Sequence, residues 1–239
     1  LPLKKVTGLF SLPPSAAVCF VMSICSGYPA GARAVEEFYE SGCISGADAK
    51  KLCALCSTSG PLFIIGSVGV KMLQSKTAGW ILLAAHAFSV LSVALIISVF
   101  SRKKQVTQYR RGRADKNVLY NSFFGAVTSV AVAGGFIAFF CVAAQIVCDF
   151  NLLYPIEKLL SLFTGGEAAS AVCRGLIEAT AGCGALSATG AKLTLPLTGF
   201  LITFGGVSIL LQQLSYFTKA KVSALYFICV KFIQALVCF

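Results

Sequence analysis

Charge is scarce in this chain. Only 12% of its 239 residues are Asp, Glu, Lys or Arg, and the acids number nine. A soluble domain of this length carries about 25%. Histidine occurs once, at position 86. One histidine supplies neither paired zinc ligands nor a Ser-His-Asp set with redundancy to spare. No GxxxxGK[ST] loop occurs, and no GxGxxG follows a strand-like run. The chain is therefore not expected to be an enzyme, and no metal or cofactor is expected. Alternation of apolar and polar residues is missing too, which argues against a membrane barrel. The first residues, LPLKKV, contain no initiator Met and no signal-peptide pattern, so a trimmed chain is expected.

Apolar residues fill the space that charge leaves. Hydrophobic side chains make up 57% of the sequence, and the mean hydropathy is +0.83. Several apolar runs approach the roughly 20 residues that a helix needs to cross a bilayer. The expected fold is all-α: a polytopic, multi-pass helical protein of the cell membrane. The net charge of +11 is uneven, with seven of the twenty Lys and Arg in SRKKQVTQYRRGRADKN, residues 101–117. Such a loop between apolar segments reads as cytoplasmic. Its charge also suits anionic lipid or nucleic acid, but topology explains it without either, and no nucleic-acid partner is expected. Cys19, Cys25, Cys141, Cys229 and Cys238 sit in apolar runs, where a free thiol behaves as a small hydrophobe. Cys53 and Cys56 have CxxC spacing but no second pair, which leaves a redox role as a weak alternative.

The runs predict a short helix over 12–26, an amphipathic stretch over 32–56, and a short apolar segment over 61–73. A full span over 78–100 closes a first unit, residues 1–100. After the basic loop, a second unit over 118–239 holds a long span at 118–148 and a short interfacial helix in FNLLYPIEKLLSLF. A mixed helix over 167–190, broken at Ala181-Gly182-Cys183-Gly184, and apolar segments over 196–214 and 222–239 complete it. The halves echo one another. LFSLPPSAAVCFVMSICSGYPAGAR (9–33) lies over LFTGGEAASAVCRGLIEATAGCGAL (162–186), and PLFIIGSVGVKML resembles PLTGFLITFGGVSILL. Paired, Gly/Pro-interrupted segments at corresponding positions point to a transporter site between two inverted repeats with broken or re-entrant helices.

SGYPAGA followed by a charged amphipathic helix, then CSTSGPLFIIGSVGV, GGFIAFF, GLIEATAG and FGGVSILLQ, resembles the sporulation integral membrane protein YlbJ family. The resemblance runs along nearly the whole chain. It extends to the nucleoside-recognition or gate-domain superfamily, which includes concentrative nucleoside transporters. It implies an inverted-repeat transporter whose first repeat has a further helix before residue 1. Within the sporulation family it implies movement of dipicolinate at the outer forespore membrane. The family motif has lysine where Arg33 stands here, a planar fork in place of a point charge. A nucleoside-type solute and a non-transporting scaffold or receptor for spore envelope assembly are the alternatives.

The candidate binding residues follow from the interruptions. Ser26, Gly27, Tyr28, Pro29 and Gly31 form an unwound stretch facing an anion, or Gly27 and Gly31 make a tight GxxxG crossing. Tyr28 suits stacking on an aromatic solute or an interfacial position. Arg33 suits a solute carboxylate, or an ion pair with Glu36 or Glu37. Ser57, Thr58 and Ser59 either cap the helix after Pro61 or present it to solute. Glu178 is an acid in an apolar stretch, suited to proton relay, cation binding or pairing with Arg174. Thr180, Gly182, Ser208 and Gln212 add neutral groups from the second half. His86 and Lys231 are expected at similar depth, as partners or as snorkelling groups. The expected partners are the lipid bilayer and a small-molecule anionic solute. A coupling ion (H+ or Na+) and a homo-oligomer stay open.

Overall fold

The structure is a computed structural model that describes residues 7–101 and 117–239. Most of the basic loop, residues 102–116, lies outside the described residues. Regular structure among the described residues is entirely helical, as the apolar runs predicted.

In the first half α1 (Ala16–Ser26) and α2 (Ala30–Glu40) are separated by Gly27-Tyr28-Pro29. The predicted 32–56 stretch is two helices, α2 and α3 (Gly46–Leu55), because Ser45 and Asp48 build a capping box between them. Residues 61–73 form a π-helical segment, Phe63–Met72, entered through a non-helical Ser57–Gly60. Helix α4 (Lys76–Phe100) follows, capped by Ser75 Oγ accepting from the Ala78 amide. The second half contains α5 (Val118–Asp149), α6 (Tyr154–Thr164), α7 (Gly166–Ile177), α8 (Ala179–Thr189), α9 (Thr194–Phe204), α10 (Gly206–Phe217) and α11 (Ala224–Cys238).

Among the described residues three stretches are long and apolar enough to cross a membrane: Lys76–Phe100, Leu119–Asp149 and Thr194–Phe217. The last is interrupted at Gly205, where φ is +89°. At 25 residues α4 is about 37 Å long, more than the roughly 30 Å hydrocarbon core. Helices α1, α2, α7 and α8 have 11 or 12 residues, each about half a bilayer.

The two halves repeat one order: α1, α2, α3, the π-helical segment and α4, then α7, α8, α9, α10 and α11. Their packing repeats as well. Helix α2 packs on α10 while α8 packs on the π-helical segment; α9 packs on α4 while α3 packs on α11. Helices α4 and α11 run antiparallel at the centre. Leu82 and Cys238 meet at Gly199, Ser89 donates to the Gln234 carbonyl, and Val93 and Ala94 share a core with Phe227 and Val230.

Two expectations are corrected. The second-half break lies at Glu178, not at Ala181–Gly184, through which α8 runs unbroken. Glu178 restarts the helix early by accepting from the Thr180 and Ala181 amides at 3.1 and 2.7 Å. Gly182 serves close packing instead, since a Cβ there would collide with the Gly175 backbone across α7 and α8. Second, the segment after Pro61 corresponds in order to α10, not to the stretch after Pro196, which lies in the first turn of α9.

Candidate functional site

The non-helical Ser57–Gly60 segment organises the interior. A backbone that leaves a helix within lipid must find partners for its polar groups. Here three side chains supply them. Ser23 Oγ donates to the Cys56 carbonyl at 2.8 Å and lies 2.8 Å from Thr58 Oγ1. Lys231 Nζ donates to the Ser57 carbonyl at 3.0 Å, and the Ser59 amide donates to His86 Nε2 at 3.1 Å. Because Nε2 accepts, the proton of a neutral imidazole sits on Nδ1, which faces Thr203 Oγ1 at 2.9 Å. Gln234 makes the matching contact in the other half, donating to the Ala54 carbonyl at 2.8 Å. His86 and Lys231 thus meet through the Ser57–Ser59 backbone, and both are buried, so neither snorkels.

The first break packs against the same segment. Gly27 has φ +67°, and a Cβ there would come within 2.8 Å of the Gly60 amide nitrogen. A Cβ on Gly31 would run into the Cys56 carbonyl and Ser23. Tight crossing and unwound backbone, the two readings of SGYPAG, therefore coexist. Tyr28 donates from its hydroxyl to the Ile202 carbonyl at 3.2 Å and accepts there from Lys231 at 3.1 Å. This ties the first break to α9 and α11.

Two cavities open beside the breaks. The one beside the Ser57–Gly60 segment, the inner cavity of about 360 Å³, is lined by Ser26, Gly27, Tyr28, Ser59, Thr180 and Gln212 and by the exposed Leu62 among others, and so draws on both halves. No charged side chain lines it. The outer one, about 560 Å³, is lined by Ser26, Tyr28, Pro29, Arg33 and Glu37 on one side and by α5 on the other. Arg33 is already engaged: its Nε pairs with Glu37 at 2.8 Å, and its Nη1 donates to the Gly125 carbonyl and Ser129 Oγ, each at 2.8 Å. Glu36 pairs instead with Lys219, at 2.6 Å, and that hydrogen bond raises the Lys219 pKa above the usual lysine value.

The remaining candidates lie behind these walls. Ser57 and Thr58 are buried, and Ser208 is a buried neighbour of Gln212, 3.4 Å from its Nε2. Gly31 and Gly182 are packing residues and line neither cavity. Glu178 is fully buried as the cap of α8 and receives the Cys141 thiol at 3.6 Å. Among the described residues the ion pairs are Arg33–Glu37 and Lys219–Glu36, so Glu178 does not pair with Arg174.

The sequence reading missed the contribution of α5. Asn121, Gly125, Ser129 and Ala133 recur every four residues, one face of a helix, and line the outer cavity; Ala133 and Ile137 line the inner one. The small and polar members of this stripe, spaced by four within an apolar run, were its signal.

No family model matches the chain, and no solved structure matches it. The chain is similar to the sporulation integral membrane protein YlbJ of Bacillus subtilis (strain 168), with 28% identity over 240 residues. The alignment covers 85% of this chain and 57% of that relative, so the chain spans little more than half the relative's length. Its apolar helices and an integral membrane relative both support a membrane location. In motifs, in helical membrane architecture and in this match the chain is similar to the sporulation integral membrane protein YlbJ.

Proposed function

We propose that the chain is a transporter moving a small polar organic anion across the membrane, by alternating access around the inner cavity. The observation that carries this reading is the cavity itself, whose wall includes Gly27, Tyr28 and Ser59 from one half and Thr180 and Gln212 from the other. Interrupted helices at corresponding places in two repeats are the pattern of a transport site. The volume of about 360 Å³ lies in the small-molecule range of about 300–1,000 Å³. In this reading one repeat rocks against the other, the outer cavity is the vestibule, and the Arg33 guanidinium is its first cationic contact. No bond is made or broken in the solute.

Family resemblance nominates dipicolinate as the solute and the outer forespore membrane as the location. The wider gate-domain resemblance nominates a nucleoside as the alternative. Uptake of labelled dipicolinate and labelled uridine into proteoliposomes tests both. The reading expects time-dependent dipicolinate uptake above protein-free liposomes, reduced several-fold by Arg33→Ala. Uptake of uridine alone transfers the proposal to nucleosides. Absence of uptake for both solutes favours a scaffold or receptor.

A further inference from the structure

Lys231 is fully buried in α11, yet it takes part in neither ion pair found among the described residues. Its partners are neutral: the Tyr28 hydroxyl at 3.1 Å, the Ser57 carbonyl at 3.0 Å and the Tyr28 ring, whose centroid is 5.0 Å away. His86, on the other side of the same backbone segment, accepts from Ser59 and brings no countercharge. Cys53 and Cys238 nearby are free thiols. A buried ammonium without a countercharge is strongly disfavoured.

A second ionisable group buried near the inner cavity, Glu178, is treated differently. Glu178 receives two amides at the start of α8, where the helix dipole favours negative charge. Glu178 has two amide donors within its own element, whereas Lys231 has no acid as a partner. Lys231 also stands directly behind the cavity wall. Tyr28, which it contacts, lines both cavities, and Ser57 is two residues from Ser59 on the inner wall. The Ser57 hydroxyl beside it is buried and makes no hydrogen bond. In a site of low dielectric, a charge one side chain back still acts on a bound solute.

We infer that Lys231 sets the anion preference of the inner cavity, its countercharge being supplied by a carboxylate of the solute and not by a residue of the chain. This rests on the transporter reading above. It makes the site selective for carboxylates although no cationic side chain touches the cavity, and it assigns Lys231 a positioning role exerted through Tyr28.

The test is equilibrium binding of dipicolinate and of its uncharged diamide to the purified protein and to Lys231→Met, which keeps the side-chain length, and Lys231→Arg, which keeps the charge. Wild type is expected to bind dipicolinate at least about tenfold tighter than the diamide. Lys231→Met should lose that preference while binding the diamide within about threefold of wild type, and Lys231→Arg should retain it. Equal binding of both compounds by wild type overturns the inference, whatever the variants do. So does a Lys231→Met protein that keeps the preference. If wild type binds dipicolinate and Lys231→Met binds it equally well, this inference alone falls; if wild type binds neither compound, the transporter reading falls with it.

Discussion

Gly27 shows how much of the interior depends on single atoms. Its positive φ starts the break before Tyr28, and its missing side chain lets the Gly60 backbone approach. Gly27→Ala should therefore destabilise the protein by about 1–3 kcal/mol, through strain and the displaced Ser57–Gly60 segment. Gly134→Ala is the control, because a Cβ on Gly134 meets nothing and alanine favours helix. Thermal unfolding in one detergent should lower the midpoint for Gly27→Ala and leave Gly134→Ala unchanged or slightly raised. Equal midpoints would show that the Gly27–Gly60 contact carries no weight. Residues of this kind were partly legible. Gly-Tyr-Pro announced its break, because Pro29 and a positive-φ glycine both oppose helix. Glu178 was noticed as a buried acid, but its capping role was not, since the glycines four and six residues on drew the break towards themselves. Lys231 was legible as a cation in an apolar run, whereas its partners, about two hundred residues away in sequence, were not.

Among the elements, α5 stands apart. Its apolar window is only 6% buried, and Phe123, Phe124, Val127, Phe139 and Val142 point outwards. Lipid suits such a surface, because between apolar helices in a bilayer packing and hydrogen bonds replace the hydrophobic drive. The face turned inwards is the four-residue stripe, fixed near one end by Arg33 on Gly125 and Ser129 and near the other by Cys141 on Glu178. A double-mutant cycle on Arg33→Ala and Ser129→Ala, followed by unfolding, should give a coupling of about 0.5–3 kcal/mol. Simple additivity would mean that the bond seen at 2.8 Å does not tether α5. Length and hydropathy were enough to find α5 and α4 from sequence. They did not find the π-helical Phe63–Met72, because a wider turn leaves no periodic mark in a ten-residue apolar run.

For the molecule as a whole, the two halves share one order of elements and meet along the antiparallel α4–α11 pair. The sequence carried the order but not the register, since the prolines at 61 and 196 occupy different places in their halves. Both interruptions reach one cavity because Tyr28, His86, Lys231 and Gln234 each bond from one half to the other. The central claim is that this shared cavity is a single solute site. Equilibrium binding of labelled dipicolinate to wild type, Ser59→Ala and Gln212→Ala measures it most directly, because these residues line the cavity from opposite halves. The account predicts one site per chain and several-fold weaker binding in both variants; unchanged affinity in either one would contradict it.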